Sequence, residues 1–411
     1  MRQITRWSRT WLGVAIFAGG LAIAALPRAF SPRAIVSADA SVPMDPGVGM
    51  PGGPPTSADG LSARVADMEA RLQKQPNDLA ASVLLADALL RMSRATNDSR
   101  PAGRAADVLA RALTENPGAY DALRLRGAIE LSLHRFREAR EVGQQARDIR
   151  PDDAWNYGVI GDAAIELGDY DEAFKNFDTM MDLRPTAAAY ARVAYARELT
   201  GNLAGAEEAM QAALASAPVQ DPEARAWYST QLGELHLKRG DLQVAERAFR
   251  QAQFFYPHYP LASVGLGKVL VARHDDNGAL DLFVEQLART PTLDLAARIG
   301  DLHSRAGRAD RAEHYYKLAE DLAGPAPAQT EANLALFLAE RGRRLPDAVE
   351  LAENVARVRH DINTEHALAW AYFRVGRIED ADKAMVRALR TGSRDETLLA
   401  HAAAIARAKA K

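Results

Sequence analysis

The chain has 411 residues and no cysteine. That excludes disulfides, thiolate metal sites, cysteine nucleophiles and lipid carried on a cysteine. Aromatic residues are scarce at 7%, whereas hydrophobic residues reach 48% with a large alanine share. Alanine is the strongest helix former and lets helices approach closely, so the balance favours stacked helices. An excess of one charge is missing too. Lys and Arg total 51 against 54 Asp and Glu, a net charge of −3. Without a basic face, a nucleic-acid partner is not expected. No run of five like charges forms a tail.

Catalytic signatures are also lacking. The chain has no Gly-x-x-x-x-Gly-Lys-Ser/Thr loop, no Gly-x-Ser-x-Gly elbow and no His-Glu-x-x-His helix. The nine histidines are scattered. His236 and His303 occupy equivalent helix positions and read as packing residues, and His360 and His366 fall on different helix faces. Asp275-Asp276-Asn277 lacks the spacing and distal glutamate of a calcium loop and reads as a solvated turn. The expectation is a chain that is not an enzyme, with no catalytic residue, metal, cofactor or small-molecule substrate.

The N-terminus stands apart. Arg2, Arg6 and Arg9 precede an uncharged apolar run from Trp11 to Leu26. A basic flank before an apolar stretch is the layout of an export signal or membrane anchor. Ala38-Asp39-Ala40 offers a small-x-small cleavage pattern well past the run, so residues 1–30 read as an uncleaved anchor or a signal peptide. With the basic flank kept in the cytoplasm, the remainder would lie in the periplasm or otherwise outside the inner membrane, in the cell envelope. Half of residues 41–60 are Pro or Gly, which makes 31–60 a linker.

From residue 61 the pattern is helical, with a period of about 34. Gly127, Gly161, Gly233, Gly267 and Gly300 are each followed 12 residues on by an alanine: Ala139, Ala173, Ala245, Ala279 and Ala312. Phe177, Phe249, Phe283 and Tyr316 come one helical turn after the alanine. This is the pattern of a helix hairpin in which small residues meet at the crossing and the aromatic fills the space beside them. Gly168, Gly201 and Gly240 end first helices, with His134 and His274 in the same place in two units. Pro151, Pro185, Pro218, Pro257 and Pro291 stop second helices.

These residues resemble those of the tetratricopeptide repeat family over about 79–395. Weaker units run through Ala194, through Ala335 with an extended turn at Gly342–Asp347, and through Ala369; the first carries the insertion SRATNDSRPAG between its helices. The resemblance implies an all-α, right-handed superhelical solenoid of antiparallel helix pairs. About eight units are expected, with a leading helix at 61–78 and a capping helix at 396–411.

The resemblance also implies that first helices line an inner wall and that a protein or peptide partner binds there. Positions one turn either side of the small residue are Trp155, Asp162, Glu166, Tyr195, Glu198, Trp227, Glu234, Lys238, Lys268, Asp301, Arg305, His366, Trp370 and Arg374. Mixed charges with aromatic anchors suit a peptide or helix. The family's carboxylate clamp is missing, since Arg124, Ala128, Gly158 and Trp155 stand at its positions. The run from Phe254 to Tyr259 reads as a second, convex-side contact through Tyr256 and Tyr259. The stretch MEARLQKQPNDLAASVLLADALL resembles the start of the periplasmic repeat region of cytochrome c maturation proteins. An assembly factor of that kind, or a non-catalytic subunit of a membrane enzyme or secretion complex, is the alternative to a general scaffold.

Overall fold

The computed structural model describes residues 58–323 and 328–410. The chain divides into two units, Met1–Arg33 and Ala34–Lys411, and every described residue belongs to the second. The expected signal or anchor segment and most of the linker lie outside the described residues. Among those residues no helix is long and apolar enough to cross a membrane.

All secondary structure among the described residues is helical. A leading helix, α1 (Ala58–Lys74), is followed by nine consecutive pairs and a last helix. The first three pairs are α2 (Leu79–Thr96) with α3 (Arg100–Glu115), α4 (Tyr120–Ser132) with α5 (Phe136–Ile149), and α6 (Ala154–Leu167) with α7 (Tyr170–Leu183). The next three are α8 (Ala187–Leu199) with α9 (Leu203–Ser216), α10 (Pro222–Lys238) with α11 (Leu242–Phe255), and α12 (Pro260–Ala272) with α13 (Asp276–Arg289). Then come α14 (Leu293–Arg305) with α15 (Ala309–Ala323), α16 (Ala328–Arg341) with α17 (Leu345–Ala356), and α18 (Ile362–Arg374) with α19 (Ile378–Ala388). The last helix is α20 (Glu396–Lys409). Nine pairs is one more than the eight expected; the five glycine units, the three through Ala194, Ala335 and Ala369, and the first unit already come to nine. The insertion in the first pair is not a loop. It lengthens α2 and α3 to 18 and 16 residues, leaving 97–99 as the turn.

Turn chemistry explains where the helices stop. Gly168, Gly201 and Gly240 sit at φ 86°, 78° and 77°, the left-handed conformation that closes a first helix. His134 and His274 take the same conformation at φ 57° and 63°, against the steric resistance of a β-carbon. Asp78, Thr186, Asn202, Asp221, Asp275 and Asp395 accept hydrogen bonds from the first-turn backbone of the following helices. Second helices end two residues before Pro151, Pro185, Pro218, Pro257 and Pro291.

The helix crossing differs from the small-against-small expectation. The aromatic ring lies on the glycine itself. A β-carbon added at Gly161 would come within 2.4 Å of the Phe177 ring, at Gly267 within 2.2 Å of Phe283, and at Gly300 within 2.5 Å of Tyr316. Phe249 is enclosed twice, since β-carbons at Gly233 and Gly265 would meet its ring at 2.5 and 2.2 Å. Where the fifth glycine, Gly127, has Gly143 opposite it and no ring, Val159 and Ile160 of α6 fill the gap. Phe177, Phe249 and Phe283 are the largest wholly buried side chains after Tyr259.

The superhelix winds tightly enough for one turn to touch the next, at offsets of 191 to 222 residues. Thr290 donates its hydroxyl to Thr96 O, 194 residues away. Arg359 pairs with Glu166 across 193 residues, and Ile362 N–H donates to the Tyr170 hydroxyl across 192. Gly201 lies against Gly392 O, where a β-carbon would approach to 2.6 Å.

The ring seats make a direct prediction. Gly233→Ala should lower stability by about 1–3 kcal/mol through overpacking against Phe249. Gly103→Ala in α3, where a β-carbon meets nothing within 4 Å, should raise it by about 0.5–1 kcal/mol. Urea unfolding followed by circular dichroism distinguishes the two.

A candidate binding chamber

Tight winding surrounds a half-open cavity of about 2400 Å³. Its wall is built from α2, α4, α6, α8 and the N-terminal half of α10, with the α11–α12 and α13–α14 turns closing one side. In α6 and α10 the aromatic of the second helix, Phe177 or Phe249, is committed to the glycine behind it, which leaves the opposite face of the first helix free to face inward.

Six of the positions expected on the inner wall meet here: Trp155, Asp162, Glu166, Tyr195, Glu198 and Trp227. Trp155 lies under Arg124 at 4.8 Å and near Arg192 at 5.9 Å, and its indole N–H is buried without a partner. Trp227 packs edge-on against Tyr228 at 5.3 Å. Tyr195 is 40% exposed, and that exposure is to the cavity. Burial and the neighbouring Glu166 and Glu198 carboxylates push its phenol well above the ordinary range.

The wall carries eight carboxylates and six guanidiniums, nearly all paired. Arg192 grips Asp162 through two nitrogens at 2.9 and 2.5 Å. Burial nevertheless pushes the Asp162 carboxyl upward, against the pull of Arg192. Burial also pushes Glu166 up to about 7; Arg359 at 3.0 Å pulls it back, and Asp361 pushes it further. Glu198 pairs with Lys238 at 2.5 Å, and Arg91 bridges Asp87 and Asp221 at 2.9 and 3.5 Å. Arg94 alone among the six has no carboxylate of the described residues within ion-pair distance. Its charge acts on Asp162, Glu223, Tyr228 and Tyr259, on two other helices and the turn before α12. The inner-wall spacing does not select Arg94, because α2 has no glycine-to-alanine register to count from.

The other expected wall positions lie away from this cavity. Glu234 and Lys268 pair with each other at 2.8 and 3.0 Å, and Asp301 holds Arg341 and the Tyr316 hydroxyl. Arg305 pairs with Asp276, and Arg374 donates to the Ala339 and Glu340 carbonyls at the end of α16. Lys238 is drawn to Glu198 on the wall. His366 faces His401 of α20, nitrogen to nitrogen at 2.8 Å, and Trp370 stacks on His401 at 3.5 Å.

The convex-side contact is not what the structure contains. Tyr259 is 1% exposed and donates its hydroxyl to Glu223 at 3.2 Å, while Tyr256 to Leu261 face the cavity. The chain turns between α11 and α12, so these rings leave the helix face that periodicity would assign them. Of the four Phe and Tyr rings in that run only Phe254, 82% exposed, stands out in solvent.

The family comparison adds to this geometry. The tetratricopeptide repeat family model matches residues 100–154, 159–229 and 230–292, the hairpins that carry most of the chamber wall. Over those residues the chain is similar to the tetratricopeptide repeat family. The helical array is similar in fold to the Cut9–Hcn1 hetero-tetramer of the APC/C, at 15% identity and TM-score 0.52 over 84% of this chain; it spans 59% of that one. It is similar also to the human IFIT1 dimer with PPP-AAAA, at 15% identity and TM-score 0.52, over 81% of this chain and 78% of that one. At these identities the likeness is one of fold. No curated protein matches the sequence.

The histidine pair yields a pH prediction. Burial holds both His366 and His401 down to about 4; His401 depresses His366 further, Arg374 depresses His401, and Asp395 opposes both. The unfolded histidines take up protons near pH 6.5 while the folded pair resists until about pH 4. Stability should therefore fall as pH drops through that window, by up to about 3 kcal/mol for the buried His366. His366→Leu combined with His401→Phe should flatten the difference between urea midpoints at pH 7 and pH 5.

Proposed function

We propose that this chain is a non-catalytic scaffold that takes an extended or helical segment of a protein partner into the chamber. The observation that carries the reading is the wall itself: Trp155, Tyr195, Trp227 and Tyr228 between helices, with charges of both signs already paired. Such a surface costs less to cover than one of unpaired charges, because its ions keep their partners when water leaves, and its rings supply anchors. Arg94, without an ion-pair partner among the described residues, is the point where a carboxylate of the partner would bind.

The basic flank and apolar run at the N-terminus support an envelope location, with the repeats held beyond the inner membrane by the Pro/Gly linker. The stretch resembling cytochrome c maturation proteins covers the end of α1, its turn and most of α2, and favours an assembly factor as the narrower version of this reading. IFIT1 is described with PPP-AAAA, but here carboxylates outnumber guanidiniums on the wall by eight to six. A polyanion would meet repulsion there, so a polypeptide is favoured.

Affinity purification of the full chain from membranes, with mass spectrometry, identifies the partner. Trp155→Ala and Trp227→Ala should then each weaken its capture by about 2 kcal/mol, roughly thirtyfold. Arg94→Glu should weaken capture without loss of helicity, and Trp370→Ala, away from the cavity, should leave capture unchanged. Equal capture by all four variants sinks the chamber reading, and capture of RNA in place of protein sinks the partner class.

A further inference from the structure

We infer that the line where one superhelical turn meets the next is a gate, and that the α17–α18 turn lifts from the α6–α7 turn to admit a partner segment sideways. The inference rests on the chamber reading for its purpose, not for its physics.

The contacts along this line are polar. The Leu167 carbonyl accepts from His360 N–H at 3.2 Å, and Arg137 donates to Val358 O at 2.9 Å. Arg390 donates to Gly168 O at 2.9 Å and to His360 O at 2.7 Å. The rings of Phe136 and Tyr170 face the guanidiniums of Arg359 and Arg390, at 4.9 and 4.7 Å, not aliphatic side chains. The apolar core that joins α14 to α20 draws its residues from 264 to 405 and none from α5 to α8. Opening this line trades hydrogen bonds for water and exposes the Phe136 and Tyr170 rings but no hairpin core, which costs less than separating packed hairpins. Opening anywhere else tears a hairpin core such as that around Phe249.

The gate and the chamber share a residue. Glu166 stands on the chamber wall and pairs with Arg359 at the seam. Arg359 is 2% exposed, is held also by Asp361 at 2.6 Å, and keeps one buried guanidinium nitrogen without a partner. A group entering the chamber and engaging Glu166 competes with Arg359. Occupancy and closure are thereby coupled.

The backbone provides a wedge for the test. Gly168 and Gly240 are equivalent caps at φ 86° and 77°. A β-carbon at Gly168 would lie 2.6 Å from the His360 backbone, whereas at Gly240 it meets nothing within 4 Å. Asn tolerates the left-handed conformation, so Gly168→Asn wedges the seam and Gly240→Asn controls for the cap. The chain has no cysteine, so cysteines at Lys175 and Lys383 report the distance across the seam by paired nitroxide labels. A cysteine at Gln231, on the chamber wall, reports access through its labelling rate by a maleimide carried on a small folded protein, too bulky to thread. Gly168→Asn should shift the nitroxide pair to a longer distance and label Gln231→Cys about tenfold faster; Gly240→Asn should do neither. Arg390→Gln, which removes the hydrogen bond to Gly168 O across the seam and the one that braces the α17–α18 turn at His360 O, should act in the same direction if Gly168→Asn does not fold. An unchanged distance, or a longer distance with unchanged labelling, overturns the gate. Both readouts are taken without the partner, so they stand or fall separately from the effect of Trp155→Ala on capture.

Discussion

An aromatic ring seated on a helical glycine is the contact from which the rest of this structure follows. With no β-carbon on Gly161, Gly233, Gly267 or Gly300, the ring sixteen residues later lies directly on the backbone of the first helix. That fixes how near the two helices of a hairpin come and at what angle. Each hairpin then passes the same rotation to the next. Repetition of one local distance sets the pitch of the superhelix, the offset at which its turns meet and the volume they enclose. The chain follows this constraint where the glycine is lost. Ala194 and Ala369 are followed at the same interval by Met210 and Met385, flexible side chains that adapt to a β-carbon where a ring would not.

The chamber is the electrostatic counterpart of that geometry. Inward-facing helix surfaces would normally present solvated charges. Here the curvature brings Asp162 to Arg192 and Asp221 to Arg91, so most of the wall is neutralised by its own neighbours. Glu166 is the exception in kind, since its partner comes from the next turn of the superhelix. Its raised pKa is the mark of a carboxylate held in an enclosed space with a second acid, Asp361, close to the same guanidinium.

Much of the fold is legible in the residues, and the reasons are local. Left-handed caps need glycine or a tolerated substitute, and His134 and His274 declare that role because the spacing leaves them no other. Proline positions give helix ends to within two residues. The spacing marks all nine pairs, since the units with alanine for glycine at Ala194, Ala335 and Ala369 keep the rest of the signature, and the expected eight is one short of the units it names. The chamber is half legible: periodicity identifies six residues of its wall but also selects eight others that lie elsewhere, since a helical face says nothing about how many turns separate two units. The run from Phe254 to Tyr259 misleads because helical spacing does not carry across a turn. Contacts between turns leave no trace, for they join residues 191 to 222 apart, with no shared motif.

That offset has an evolutionary corollary. Open arrays of this kind can gain or lose a unit by duplication or deletion, because each unit answers only to its neighbours. In this chain the turns also answer to each other, and the offset does not equal a whole number of repeat lengths. Removing one hairpin from between Glu166 and Arg359 would bring a different face of the unit to the seam and set helix surfaces where paired turns now meet. The winding therefore makes the number of repeats a fixed property of the fold, inherited whole rather than adjusted one unit at a time.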